Sequence, residues 1–264
     1  MKFVFITVSA PAIRCLMKAA DEIALAENGI LDLRLYYAVT EYSKAKTQRL
    51  IDDIADSDMV FVDLMGSPPD VIKAVYCGLE KCKGNVIPYG NSAREYLRLG
   101  KFTADSMKSE VGKKPDMAAM KKMQNMAEAI GKVMPGKIRD MKNYSQICKY
   151  FYVADYSNIL NMLYLILRDY GGAKLLPKPR DAREVPSVAV CKPQDMKTYD
   201  SFEEFSADFR YDPDKPVAAL LFYSHIYPMD YSDVVFALSK RLSQTVNVLP
   251  VALSGTDGLE KGRL

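Results

Sequence analysis

Through the first hundred residues, short apolar runs alternate with amphipathic segments, and no other feature constrains the fold of this chain as strongly. The runs Phe3–Val8, Leu31–Ala38, Met59–Met65 and Asn85–Tyr89 are strand-sized, and each predicts a β-strand. Between them, Ala12–Ala26 and Ser43–Ala55 carry apolar residues at helical spacing. A third helix is expected to open at Pro68 or Pro69, where a first helical turn accepts proline, and to run to Leu79. The turn Tyr89-Gly90-Asn91-Ser92 is read as leading into a further helix that ends at Leu99. Alternation at this pitch predicts an α/β fold for residues 1–100, with a doubly wound, flavodoxin-like parallel sheet.

The pattern then changes. Residues 101–176 are expected to form a helical segment packing on that domain. Lys101–Asn143 holds seven of the 14 methionines and ten Lys/Arg against five Asp/Glu. Met117, Met120, Met123, Ile130 and Met134 fall near helical spacing and read as a core-facing stripe, with an adaptable binding face as the alternative. The basic excess reads as a solvated face. Tyr144–Tyr170 reads as one long helix, stopped by Gly171-Gly172.

Prolines interrupt the stretch that follows, so residues 177–215 read as a connector holding a short strand, Ser187–Val190, and a short helix, Ser201–Phe209. A β-loop-α-β unit begins at residue 216. Val217–Tyr223 is apolar enough to be a strand buried on both faces, Ser232–Leu242 a helix and Val246–Val251 a second strand. Two strands and one crossover helix are too little for a stable domain. Residues 216–264 are therefore expected to be the start of a second, truncated α/β domain, and Leu264 not to be a natural domain end.

Composition narrows the function classes. A net charge of +3 over 264 residues gives no electrostatic footprint for nucleic acid. The five cysteines are scattered, with no CxxC pair, which argues against a disulfide frame or a zinc site and for reduced thiols in the cytoplasm. The apolar core of MKFVFITVSAPA is shorter than a signal-peptide core and reads as the first strand. Lys149, Asp155, Asn158 and Asn161 interrupt Gln146–Leu167, the most apolar long stretch, so no membrane span is expected.

The first strand–helix junction, Thr7–Arg14, contains no glycine where a dinucleotide fold needs GxGxxG, and no GxxxxGK[ST] loop occurs anywhere. A flavin or nucleotide oxidoreductase is disfavoured, and any ATP is expected to be bound by another chain. Tyr89-Gly90-Asn91-Ser92, closing the fourth strand, reads as a turn and N-cap, and two strand ends remain as candidate sites. Asp63 closes the third strand ahead of a Gly-Ser turn, where an acid either touches a ligand or satisfies turn amides. Tyr223-Ser224-His225 closes the strand of the second unit and carries the only histidine of the chain, suited to proton transfer or to a structural hydrogen bond. No metal-ligand set accompanies either.

Ser57–Ser67, the acidic-aromatic segment Phe202–Tyr211, Lys215–His225 and Val246–Val251 together resemble the large subunit of the cobaltochelatase and magnesium-chelatase family, with the cobalt branch nearer. The resemblance runs along the chain as the amino-terminal portion of a far longer subunit. It implies binding of a metal-free tetrapyrrole and partnership with AAA+ ATPase subunits, with the complex using ATP and Mg and inserting a divalent metal, Co, Mg or Ni. No cofactor is expected on this chain itself. The candidate substrate-binding residues are then His225, Ser224, Tyr223 and Asp63, the first three near a cleft between the two α/β units. The competing reading is a non-enzymatic flavodoxin-like module that binds a small ligand or a partner.

Overall fold

In a computed structural model, residues 1–106, 136–184, 188–192, 197–199, 201–209, 212–223 and 232–253 are described. The chain divides into two compact units, Met1–Phe151 with Tyr156–Ala182, and Tyr152–Asp155 with Arg183–Leu264.

The first unit is built on β1 (Lys2–Thr7), β2 (Asp32–Tyr37), β3 (Met59–Val62) and β4 (Asn85–Pro88), in the order β2-β1-β3-β4 with every pairing parallel. β1 and β3 are buried on both faces, which is why they read as unbroken apolar runs. Helices α1 (Ala10–Ala26), α2 (Lys44–Ala55) and α3 (Pro69–Lys81) connect the strands. Ser9 and Ser43 cap the first two by accepting from Ala12 N and Lys46 N.

Alternate residues of β1 serve opposite faces of this sheet. Val4 and Ile6 join Leu50 and Ile54 of α2 and Val71 and Val75 of α3 in one core. On the other face Phe5 stacks on Phe61 at 4.3 Å between ring centroids, and Phe151 packs on both.

The sheet does not continue as expected. In place of a helix ending at Leu99 there is a single 3-10 turn, Arg94–Tyr96, then a hairpin of β5 (Arg98–Leu99) and β6 (Phe102–Thr103) laid antiparallel on β4. Gly100, at φ +56°, makes the two-residue turn, and an added Cβ there would lie 2.3 Å from Asp140 Oδ2. The expected long helix is also two: α4 (Gly136–Tyr152) and α5 (Tyr156–Asp169). They separate at Val153-Ala154-Asp155, with an aspartate, a favoured capping residue, just before the second. The methionines at 117, 120, 123 and 134, with Ile130, lie outside the described residues.

Buried polar groups hold the helices in place. The carboxylate of Asp140, 1% exposed, accepts from Lys101 N at 2.7 Å and from the Tyr170 hydroxyl at 3.1 Å. Tyr144 of α4 donates to the Pro88 carbonyl at 2.8 Å. Glu22 of α1 receives the hydroxyls of Tyr156 and Tyr164 of α5. The bond to Glu22 pushes the Tyr156 phenol up to about 12.

The second unit corrects the sequence reading twice. Its sheet has four strands, not two, in the order β8-β7-β10-β9: β7 (Val188–Lys192), β8 (Lys197–Tyr199), β9 (Val217–Tyr223) and β10 (Asn247–Leu253). The proline-rich stretch supplies two of them, pairing antiparallel where β9 and β10 pair in parallel. Second, β9 is not buried on both faces, because it lies at an edge: Val217, Leu221 and Tyr223 are 58, 52 and 58% exposed. Helix α6 (Phe202–Asp208) sets Phe205 against Val190 and Tyr199, and α7 (Ser232–Leu242) joins β9 to β10.

Candidate functional site

In the first sheet the strand order reverses between β1 and β3, where open α/β sheets place ligands at the carboxyl ends of their strands. Asp63 stands at that point, 4% exposed. Its backbone extends the ladder, Asp63 N donating to Ile6 O at 2.9 Å. Its carboxylate accepts the Thr7 hydroxyl at 2.8 Å and Val8 N at 3.4 Å, while Thr7 Oγ1 accepts Ser9 N at 3.0 Å. One chain of hydrogen bonds therefore joins the end of β3 to the end of β1 and on to the cap of α1.

Burial pushes the Asp63 carboxyl above the usual carboxylate range, opposed by its bonds to the Thr7 hydroxyl and to the amides of Val8 and Met65. A carboxylate so engaged fixes the two loops that meet at the switch point. The next loop is tied in as well: Leu64 N donates to Ser92 Oγ at 3.1 Å, and Ala93 N to the Tyr76 hydroxyl at 3.2 Å. Ser92 thus secures the β3 loop rather than capping a helix. Ala93, fully buried at φ +50°, holds a left-handed conformation unusual for a side-chain-bearing residue.

Thr7 and Ser92 carry as much of this rim as Asp63 does. The one signal that marks Thr7 in sequence is a polar residue closing an otherwise apolar strand.

The other candidates fall in the second unit. Tyr223 ends β9, opposite Leu253 at the end of β10, so both parallel strands finish together. Its side chain is exposed. Ser224 and His225 follow directly in sequence and lie outside the described residues. Asp63 and Tyr223 belong to separate units. Among the described residues no three His, Cys, Asp or Glu side chains converge as a metal site, and no helix is long and apolar enough to cross a membrane.

Comparison with known proteins bears on the second unit most directly. The family described as CobN/Magnesium Chelatase matches residues 148–263. A magnesium-chelatase subunit of Chlorobaculum parvum is 27% identical over 145 residues, which is 52% of this chain and 11% of that protein. The chain thus spans about a tenth of the length of that relative. The catalytic subunit of cobaltochelatase from Mycobacterium tuberculosis superposes with a TM-score of 0.38 and 10% identity, covering 96% of this chain and 16% of that one. Residues 148–263, which contain every strand of the second sheet, are thus similar to the CobN/Magnesium Chelatase family.

Proposed function

We propose that this chain acts as part of the tetrapyrrole-binding large subunit of an ATP-dependent metal chelatase in the cytoplasm. Insertion of cobalt into a corrinoid, in cobalamin synthesis, is the first reading, and magnesium into protoporphyrin the second. The observation that supports this is the family match over residues 148–263, which contains β9 and the residues at its carboxyl end. The Chlorobaculum relative carries a magnesium-chelatase name, which keeps the second reading in play until the ring itself is identified by binding.

In this reading Tyr223, Ser224 and His225 contact the ring beside the parallel strand ends, where α/β sheets collect ligands. Metal entry displaces pyrrole protons, and the His225 imidazole is the group suited to take them near neutral pH. Asp63 contributes by holding the switch-point loops of the first unit. The energy comes from separate AAA+ ATPase subunits, with ATP and Mg bound there.

The test is an absorbance titration of metal-free corrinoid, and separately of metal-free porphyrin, into the full chain and into its His225→Ala variant. Saturable binding of one ring, weakened at least tenfold in the variant, is the expected result, and the ring that binds names the branch. If neither ring binds, this chain does not recognise the tetrapyrrole. Binding unchanged in the variant removes His225 from the site.

A further inference from the structure

Asn161 is one of the polar residues that interrupt the most apolar long stretch of the chain, and in α5 it is 8% exposed. Its side chain is used at both ends. The amide donates to Ser157 O at 2.8 Å, and the oxygen accepts Arg180 N at 2.8 Å. From α4, Tyr150, the largest of the fully buried side chains, donates its hydroxyl to Arg180 O. Arg180 is therefore gripped by its main chain on both sides, at the amide by one helix and at the carbonyl by the other, while the residue itself is exposed.

The stretch that ends in this grip, residues 171–182, contains neither helix nor strand, so its backbone groups must find partners elsewhere. At its near end Ala173 N donates to Leu167 O at 3.0 Å, past Gly172 at φ +78°, and closes α5. Arg168 Nη1 of α5 donates to the carbonyl of Lys174 at 2.6 Å and to that of Leu176. Ala173 and Leu176 are each 3% exposed, with Leu175 94% exposed between them. Pro177 and Pro179 follow, which fix φ and donate nothing. Beyond them the stretch is held by the two bonds at Arg180.

We propose that residues 171–182 are a latched strap on α4 and α5. The strap is shut while Tyr150 and Asn161 hold the Arg180 main chain, and it opens as one piece while the sheet of the first unit stays folded. A segment held by a few side-chain bonds opens at a lower free energy than strands buried on both faces. A polar grip also suits release. Once the strap lifts, water can replace Arg180 at the Tyr150 hydroxyl and the Asn161 oxygen, so neither is left unsatisfied.

Hydrogen exchange on the full chain, read by mass spectrometry of its peptides, tests this. Peptides within residues 171–182 are expected to be protected in the parent, yet to exchange faster than those of β1 and β3. Arg180→Pro removes the N–H that Asn161 accepts and alters nothing in either helix. It is expected to speed exchange in the strap at least tenfold and to leave the peptides of β1 and β3 unchanged. Arg180→Ala keeps both main-chain bonds and is expected to exchange as the parent does.

Strap peptides that exchange without protection in the parent overturn the proposal, because there is then no latch. Exchange in step with β1 and β3 overturns it as well, because the stretch then opens only with the whole unit. Arg180→Pro indistinguishable from Arg180→Ala removes Arg180 as the gripped residue. The parent comparison is readable even if Arg180→Pro fails to fold, and Tyr150→Phe, which removes only the hydroxyl, then tests the other side of the grip. No readout involves a tetrapyrrole, so the outcome is separate from that of the ring titration.

Discussion

The Thr7 hydroxyl donates to the Asp63 carboxylate across 2.8 Å, joining two strand ends that stand 56 residues apart in the chain. Both residues are buried, so the bond has no water to replace it. Asp63→Ala leaves the Thr7 donor without its acceptor and is expected to cost about 1–3 kcal/mol of stability, read by urea denaturation.

The same carboxyl gives a pH signature. Burial raises its folded-state pKa above the unfolded value, so the folded chain holds the proton more tightly. The resulting stabilisation is complete below about pH 3.9 and is lost as the pH rises through the folded value. Asp63→Asn, which does not titrate, lacks this component. The stability of the parent minus that of Asp63→Asn is therefore expected to fall as the pH is raised from about 4, measured by urea midpoints.

Gly100 offers a test of backbone conformation. Its φ of +56° disfavours any side chain, and a Cβ would press on the Asp140 carboxylate that accepts Lys101 N. Gly100→Ala is expected to destabilise by about 2 kcal/mol or more. Gly29→Ala, at a comparable φ of +80° with open space around it, isolates the backbone part and should cost less in the same thermal melt.

In the second unit Asn247 begins β10 with its side chain 5% exposed. Its amide donates to the carbonyls of Asp212 and Lys215, each at 2.8 Å, and its oxygen accepts Asp212 N at 2.9 Å. Those three bonds shape the turn that feeds β9. Asn247→Asp replaces the donor with an oxygen facing two carbonyl oxygens and is expected to cost about 3 kcal/mol or more. Calorimetry should show the loss in the second unit before the first.

Thiol chemistry reports burial directly. Desolvation pushes the Cys191 thiol up to about 12, and that of Cys148 likewise to about 12. The thiolate is the reactive form, so iodoacetamide at about pH 8 should modify half-buried Cys15 and Cys77 first. Cys191 is expected to stay unlabelled until the second unit unfolds, as peptide mapping would show.

Strands β1, β3 and β4 were legible because burial on both faces writes an apolar run directly into sequence, and edge strand β2 because Leu33 and Leu35 alternate with polar residues. The β5–β6 hairpin was not, since its turn depends on Asp140, 39 residues beyond Lys101. The break between α4 and α5 carries no glycine or proline to announce it. β9 misled for a different reason: an apolar run marks a core strand and an edge strand alike, and only its place in the sheet distinguishes them. At the candidate site Asp63 could be picked out as an acid at a strand end, but nothing local to it points to Thr7 or Ser92. Those partners come from the strand order, which no spacing rule supplies.

The segment shared with the chelatases and the segments that fold together have different borders. The shared stretch starts at residue 148, inside α4, and takes in all of α5. Yet α5 belongs with the first unit, where its tyrosines meet Glu22 of α1. A gene piece cut to the boundary of the match would therefore produce a helix, buried from Ile159 to Leu167, that had lost the α1 helix it packs on. The limits of similarity and the limits of packing therefore run through different points of the chain.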